Sequence, residues 1–407
     1  MKFSKMNIID LPDDCLLLIF DQFYQYRQFA TLMKVCPRWK ILAEKRLKKI
    51  THLDILLFTS NGLTQLNDTL EQRHFPSTRK CVITMRPDSL KQIEPSKLFP
   101  NVKLIHLENF TGNCICDALA QLLTKANQIK GLSCFDYNST MNHECNSIER
   151  ITSFLSDIQV LRTTNYAIST SYLRTFGHLK KVKSFGSSNF FRSKRFCIDD
   201  VHLRYVLKFA QCLTNLEQLT TYCDDKFDDD FVLVESQLPI FGNLLHLELV
   251  DASNNGSTLT KFLNLCPNLL NFSLTVYFNK MNRILQINRN FNVQRLDLDF
   301  FTKDRENILK FIEKFPNCRY LSIRNSLYLL SSQDLIQIKS KLPHLSLLHF
   351  KNDWTDLAEI QTIKNYCHSQ NPKIDVYFGS EDDKLMMSHE IYRKFRNSFL
   401  PYIKSGS

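Results

Sequence analysis

A chain of 407 residues with 43% hydrophobic and 23% charged side chains can bury a core, which excludes a disordered polypeptide. Its length exceeds the roughly 100–200 residues of one ordinary domain, so several domains or one repetitive architecture is expected. The formal net charge of +11 is spread along the chain; it favours anionic partners weakly, and the basic clusters at 45–50 and 190–196 read as solvated faces rather than nucleic-acid sites. The N-terminus lacks the apolar core of a signal peptide, and no stretch reaches the roughly 18 apolar residues of a membrane span. A cytoplasmic or nuclear protein is expected, its 13 cysteines serving as reduced thiols.

Taken in chain order, residues 1–8 form a tail and the first predicted element is a helix opened by Leu11 and Pro12. Asp13 and Asp14 suit its first turn, and Leu16, Ile19, Phe20 and Phe23 fall at i, i+3, i+4 and i+7 on one face. After a polar turn and a middle segment comes Val35-Cys36-Pro37-Arg38-Trp39. Some 40 residues seldom enclose so many large apolar side chains alone, so either a partner or the rest of the chain must cover part of this segment.

From Ile50 onward a phrase recurs in which apolar residues stand at places 1, 4 and 6. Weak copies start at Ile50, Val102, Ile129, Ile158 and Leu179. Clear ones are anchored on Leu216, Leu244, Leu269, Val293, Cys318 and Leu345, about 24–28 residues apart, and often carry Pro-Asn or Pro-His just before the anchor. The alternation predicts a short strand with one buried face. Between strands, Leu259, Phe262, Leu263 and Cys266, and then Ile308, Phe311, Ile312 and Phe315, repeat the helical stripe. One strand and one helix per repeat can bury their apolar faces only by stacking. Residues 379–407 read as a helical cap on the last repeat.

The repeats at 49–378 resemble the leucine-rich repeat family. The resemblance implies an α/β solenoid with parallel strands on a concave face and helices on a convex one. The family's usual Asn or Cys after the strand is replaced here by Ala252, Phe301, Ser326 and Asp353. In such a solenoid places 3, 5 and 7 of the phrase point to the concave side, which would present Tyr222, Arg295, Asp297, Tyr320, Arg324, His349 and Lys351 to a protein substrate, one that is acidic or phosphorylated.

Residues 9–48, LPDDCLLLIFDQFYQYRQFATLMKVCPRWKILA at their centre, resemble the F-box: a Leu-Pro opening, an Ile-Phe pair on the first helix, Val-Cys closing the middle helix, and Trp three residues after the Cys. They depart from it at Asp14, where Glu is usual, and at Tyr26-Arg27-Gln28, where Asp-Leu is usual. The resemblance implies a non-catalytic substrate adaptor of a Skp–cullin–F-box ubiquitin ligase. Leu11, Pro12, Ile19, Phe20, Val35, Cys36 and Trp39 would contact or support the Skp-family adaptor, which brings the cullin and RING subunits. The alternative is a leucine-rich-repeat scaffold whose N-terminal helices only cap the stack, and co-purification with the adaptor separates the two. No zinc spacing accompanies the NHECN stretch at 142–146, the acidic run at 224–235 lacks the glycine of a calcium loop, and no phosphate-binding Gly-rich loop occurs, so neither metal nor cofactor is expected.

Overall fold

In the computed structural model the chain forms two compact units, residues 1–176 with 191–199 and residues 177–190 with 200–407. The structure describes residues 8–58, 79–109, 111, 114–126, 128–136, 147–163, 168, 171–172, 174–175, 183–186, 203–223, 238–251, 257–276, 284–301, 304–325, 331–350 and 357–378. The expected C-terminal cap at 379–407 and the stretches at 142–146, 190–196 and 224–235 lie outside these residues.

The first unit opens with helices α1 (Asp13–Phe20), α2 (Tyr26–Leu32) and α3 (Pro37–Leu47), followed by strands β1 (His52–Leu57), β2 (Lys80–Met85), β3 (Leu104–Asn109), β4 (Gly131–Asp136) and β5 (Val160–Thr163). All pair in parallel, in the spatial order β2-β1-β3-β4-β5. The chain therefore steps outward from β1 to β2 and returns past β1 to β3. The sequence did not mark β2 as a repeat, because Cys81, Val82 and Ile83 run as a continuous apolar stretch with no phrase leading into it.

The second unit holds β6 (Ser184–Gly186), β7 (Gln218–Cys223), β8 (His246–Asp251), β9 (Asn271–Val276), β10 (Arg295–Phe300), β11 (Tyr320–Asn325), β12 (Leu347–Phe350) and β13 (Asp375–Phe378). Here each strand lies parallel to the next in chain order, an arrangement compatible with a solenoid. Gly186 sits at φ 135°, and a Cβ there would stand 2.0 Å from the carbonyl oxygen of Thr220, so β6 approaches β7 only because this residue is glycine.

Helices lie where the stripes predicted them. Leu259, Phe262, Leu263 and Cys266 are buried, as are Ile308, Phe311, Ile312 and Phe315. Asp304 caps the helix Arg305–Ile312 by accepting from the Asn307 N–H at 3.1 Å, and Ser331 exchanges bonds with Asp334 at the start of the helix Ser332–Lys341. Between β9 and β10 the described residues hold a 3₁₀ turn, Ile284–Gln286.

Two devices set the repeat spacing. From β8 to β11 one carbonyl at the foot of a strand accepts two N–H groups from the next: Leu245 from Leu270 and Asn271, Leu270 from Gln294 and Arg295, Gln294 from Arg319 and Tyr320. One asparagine before each of β8, β9, β10 and β11 donates its Nδ2 to a carbonyl of the preceding repeat: Asn243 to Thr214 at 2.8 Å, Asn268 to Gly242 at 2.8 Å, Asn292 to Pro267 at 3.0 Å and Asn317 to Phe291 at 2.8 Å. The structural asparagine thus precedes the strand. Of the four places after the strand where its absence was noted, only Phe301 is among the described residues.

The core behind the strands is aromatic. Phe272 of β9 and Phe300 of β10 lie 6.4 and 6.1 Å from the Phe311 ring, and Phe311 lies 5.3 Å from Phe315. The described cysteines are free thiols, most of them buried, and burial raises the thiols of Cys318 and Cys367 to about 12. The buried ones act as small apolar residues.

Candidate functional site

The three N-terminal helices build a small interior from the residues of the predicted stripe. Leu16 and Phe20 of α1 are buried, Phe20 meeting Trp39 of α3 edge to face with centroids 5.4 Å apart. Phe23 bridges Phe20 and Phe29, with centroids 6.3 and 6.4 Å away. Cys36 caps α3, its sulfur accepting from the Trp39 N–H at 3.5 Å, with Pro37 in the first turn. At the centre Arg46 is fully buried. Its Nε lies 2.6 Å from Asp21 Oδ1, its guanidinium lies 5.8 Å from the Phe29 ring centroid, and burial pushes its pKa down against the pull of Asp21.

Of the residues expected to contact or support an adaptor, Phe20 and Trp39 are therefore supports. Leu11, Ile19 and Cys36 are half-buried, while Pro12 and Val35 are exposed. The outward surface is more apolar than the sequence pattern suggested: Ile8 is 48% exposed, Ile9 46%, Leu18 67%, Val35 49% and Ile41 63%. These are five of the ten large hydrophobic side chains found exposed among the described residues. Scattered exposed apolar residues are ordinary, but this concentration in some 35 residues makes the segment the candidate site. Sequence reasoning missed Ile8, Ile9, Leu18 and Ile41 because a stripe picks out the inward face of a helix. The run Leu16-Leu17-Leu18-Ile19-Phe20 did carry the signal, since a helix apolar all round cannot turn every residue inward.

The same helices are joined to the strands of their unit. The Val82 N–H donates to the Tyr24 carbonyl at 2.7 Å, and Gln25 bridges in parallel to Val82, so the turn after α1 pairs with the open edge of β2. Gln28 Oε1 accepts from the N–H groups of Tyr24 and Gln25 at 3.3 and 3.1 Å and fixes that turn. Tyr24 packs on Leu56, Phe58 and Val82, the Tyr26 ring lies 5.8 Å from Phe99, and Asn101 Nδ2 donates to the Lys48 carbonyl at 2.7 Å. The Tyr26-Arg27-Gln28 departure from the F-box pattern thus coincides with the turn that holds the strands. The helices and the first strands pack on one another within this unit.

The expected substrate residues of the second unit come out differently. Arg295, Asp297, Tyr320 and His349 are buried, Tyr222 and Arg324 are half-buried, and Lys351 lies outside the described residues. In-register strands about 4.8 Å apart set same-row side chains against one another. Arg295 faces Tyr320 across β10 and β11 with its guanidinium 4.8 Å from the ring centroid, and its Nη2 lies 3.3 Å from Asp297. Ser322 and His349 share a 3.3 Å hydrogen bond, and Arg324 lies 3.5 Å from Asp299. Arg295 and Arg324 also sit at opposite ends of their strands. These residues knit the strand face together, and Arg295 is corrected from a presented cation to a buried, stacked one.

Among the described residues no group of His, Cys, Asp and Glu could hold a metal ion, and no helix is long and apolar enough to cross a membrane. Compared with known proteins, the chain matches no family model and no curated protein.

Proposed function

We propose that the chain is an F-box protein with leucine-rich repeats, the substrate-recognition subunit of a Skp–cullin–F-box ubiquitin ligase. In this reading the exposed apolar side chains of residues 8–41 bind the Skp-family adaptor, and the strand repeats hold a protein substrate. The protein then performs no chemistry itself; it raises the substrate's effective concentration beside the ubiquitin-loaded enzyme that the cullin and RING subunits carry. One observation carries this: the helices bury Leu16, Phe20, Phe29 and Trp39 and still leave Ile8, Ile9, Leu18, Val35 and Ile41 exposed.

The scaffold reading also has an observation behind it, the pairing of Tyr24 and Gln25 with the edge of β2. The two readings use different residues and can be separated. Leu18→Asp combined with Val35→Asp should leave the unfolding midpoint of the full chain unchanged, because both side chains are solvated. The same variant should lower affinity for a purified Skp-family adaptor at least thirtyfold, on the order of the 2 kcal/mol of one interface hot spot. An intact chain that binds no adaptor favours the scaffold. Trp39→Ala is a poor probe, since removing a buried ring against Phe20 unsettles the helices whatever they bind.

A further inference from the structure

The strip Ile8–Pro12 precedes α1. Its 3₁₀ turn, Ile8–Asp10, buries no residue, and the Leu11 N–H reaches the Ile8 carbonyl only at 3.4 Å. One side chain reaches across from the first turn of α3: Arg38 donates from Nη1 to the Ile9 carbonyl at 2.8 Å, from Nη2 to the Leu11 carbonyl at 2.6 Å and from Nε to Asp13 Oδ1 at 2.8 Å. All three arms of the guanidinium are used, on acceptors that alternate along the strip and end at the start of α1. Lysine has one donor centre and cannot span them.

We infer that Arg38 is a positioning residue for docking: it holds the strip that carries Ile8, Ile9, Leu11 and Pro12 in its binding arrangement before the partner arrives. This rests on the docking function proposed above. Arg38 and Asp13 are 40% and 59% exposed, and ion pairs so solvated add little to folding. What the clamp alters is the freedom of the strip. Ordering exposed Ile8 and Ile9 beforehand removes that ordering cost from the binding step.

The test uses the full chain and two measurements. In the free protein, Arg38→Gln and Arg38→Lys should both speed hydrogen exchange of the amides at 9–14 while leaving the global unfolding midpoint in place. Against purified Skp-family adaptor, both should weaken binding about tenfold, and a cycle with Ile9→Ala should be non-additive, since Arg38 acts through the strip. Wild-type exchange rates in both variants overturn the clamp. Additive losses with Ile9→Ala, or wild-type affinity in the variants, overturn its role in docking. A wild-type chain that binds no adaptor instead overturns the docking function itself, while the exchange measurement still decides whether Arg38 orders the strip.

Discussion

Replacing Asp21 by alanine is expected to destabilise the N-terminal unit by about 3–5 kcal/mol, the usual cost of taking one partner from a buried ion pair. Arg46 has no exposed surface, and its Nε lies 2.6 Å from Asp21. Its surroundings join every part of the unit's start: Asp21 follows α1, Phe29 lies on α2, and Cys81 of β2 is close enough for the guanidinium to favour its thiolate, although burial raises that thiol to about 12. Without the carboxylate a guanidinium is left in an apolar site, and an Arg cannot escape by losing its proton at neutral pH. Chemical denaturation of the full chain measures the loss. Restoring much of it with Asp21→Ala/Arg46→Met would identify the stranded charge as the cause, because apolar replacement of a whole buried pair is often close to neutral. A loss below about 1 kcal/mol, typical of a solvated pair, would show that water reaches Arg46.

Phe311→Ala should cost the second unit a similar 3–5 kcal/mol, the range for removing a buried phenylalanine. Phe311 is fully buried and stands among Phe272, Phe300 and Phe315, so its ring links two strands to the helix Arg305–Ile312. In a stack where each repeat leans on its neighbours, this position removes an interface as well as a side chain. Phe311→Leu, which leaves a smaller void, should lose clearly less in the same denaturation experiment. Equal losses would mean that ring geometry outweighs volume at this site.

The repeats were legible because stacking imposes a strict pattern. The anchors Leu216, Leu244, Leu269, Val293, Cys318 and Leu345 are all buried, and the helical stripes lie inward as their spacing required. The asparagines before the anchors were visible too, although their bonds to the preceding repeat needed coordinates. β2 was not legible, since a strand inserted beside β1 carries no phrase of its own. Nor was the burial of Arg295, Tyr320 and His349. Polar residues at alternate strand positions look alike whether they face water or the next strand, and only the register shows that Arg295 lies against Tyr320. At the proposed docking face the pattern named the buried Phe20 and Trp39 along with exposed Pro12 and Val35, and passed over Leu18 because it lies off the stripe.

The central claim is that the N-terminal helices dock a partner while packed on the first strands. Hydrogen exchange of the full chain, alone and saturated with purified Skp-family adaptor, tests it most directly. The claim predicts new protection at residues 8–18 and 35–41, none at the Tyr24–Val82 pairing, which is already formed, and none on β7–β13. Protection confined to the strands, or the same exchange with and without the adaptor, would contradict it.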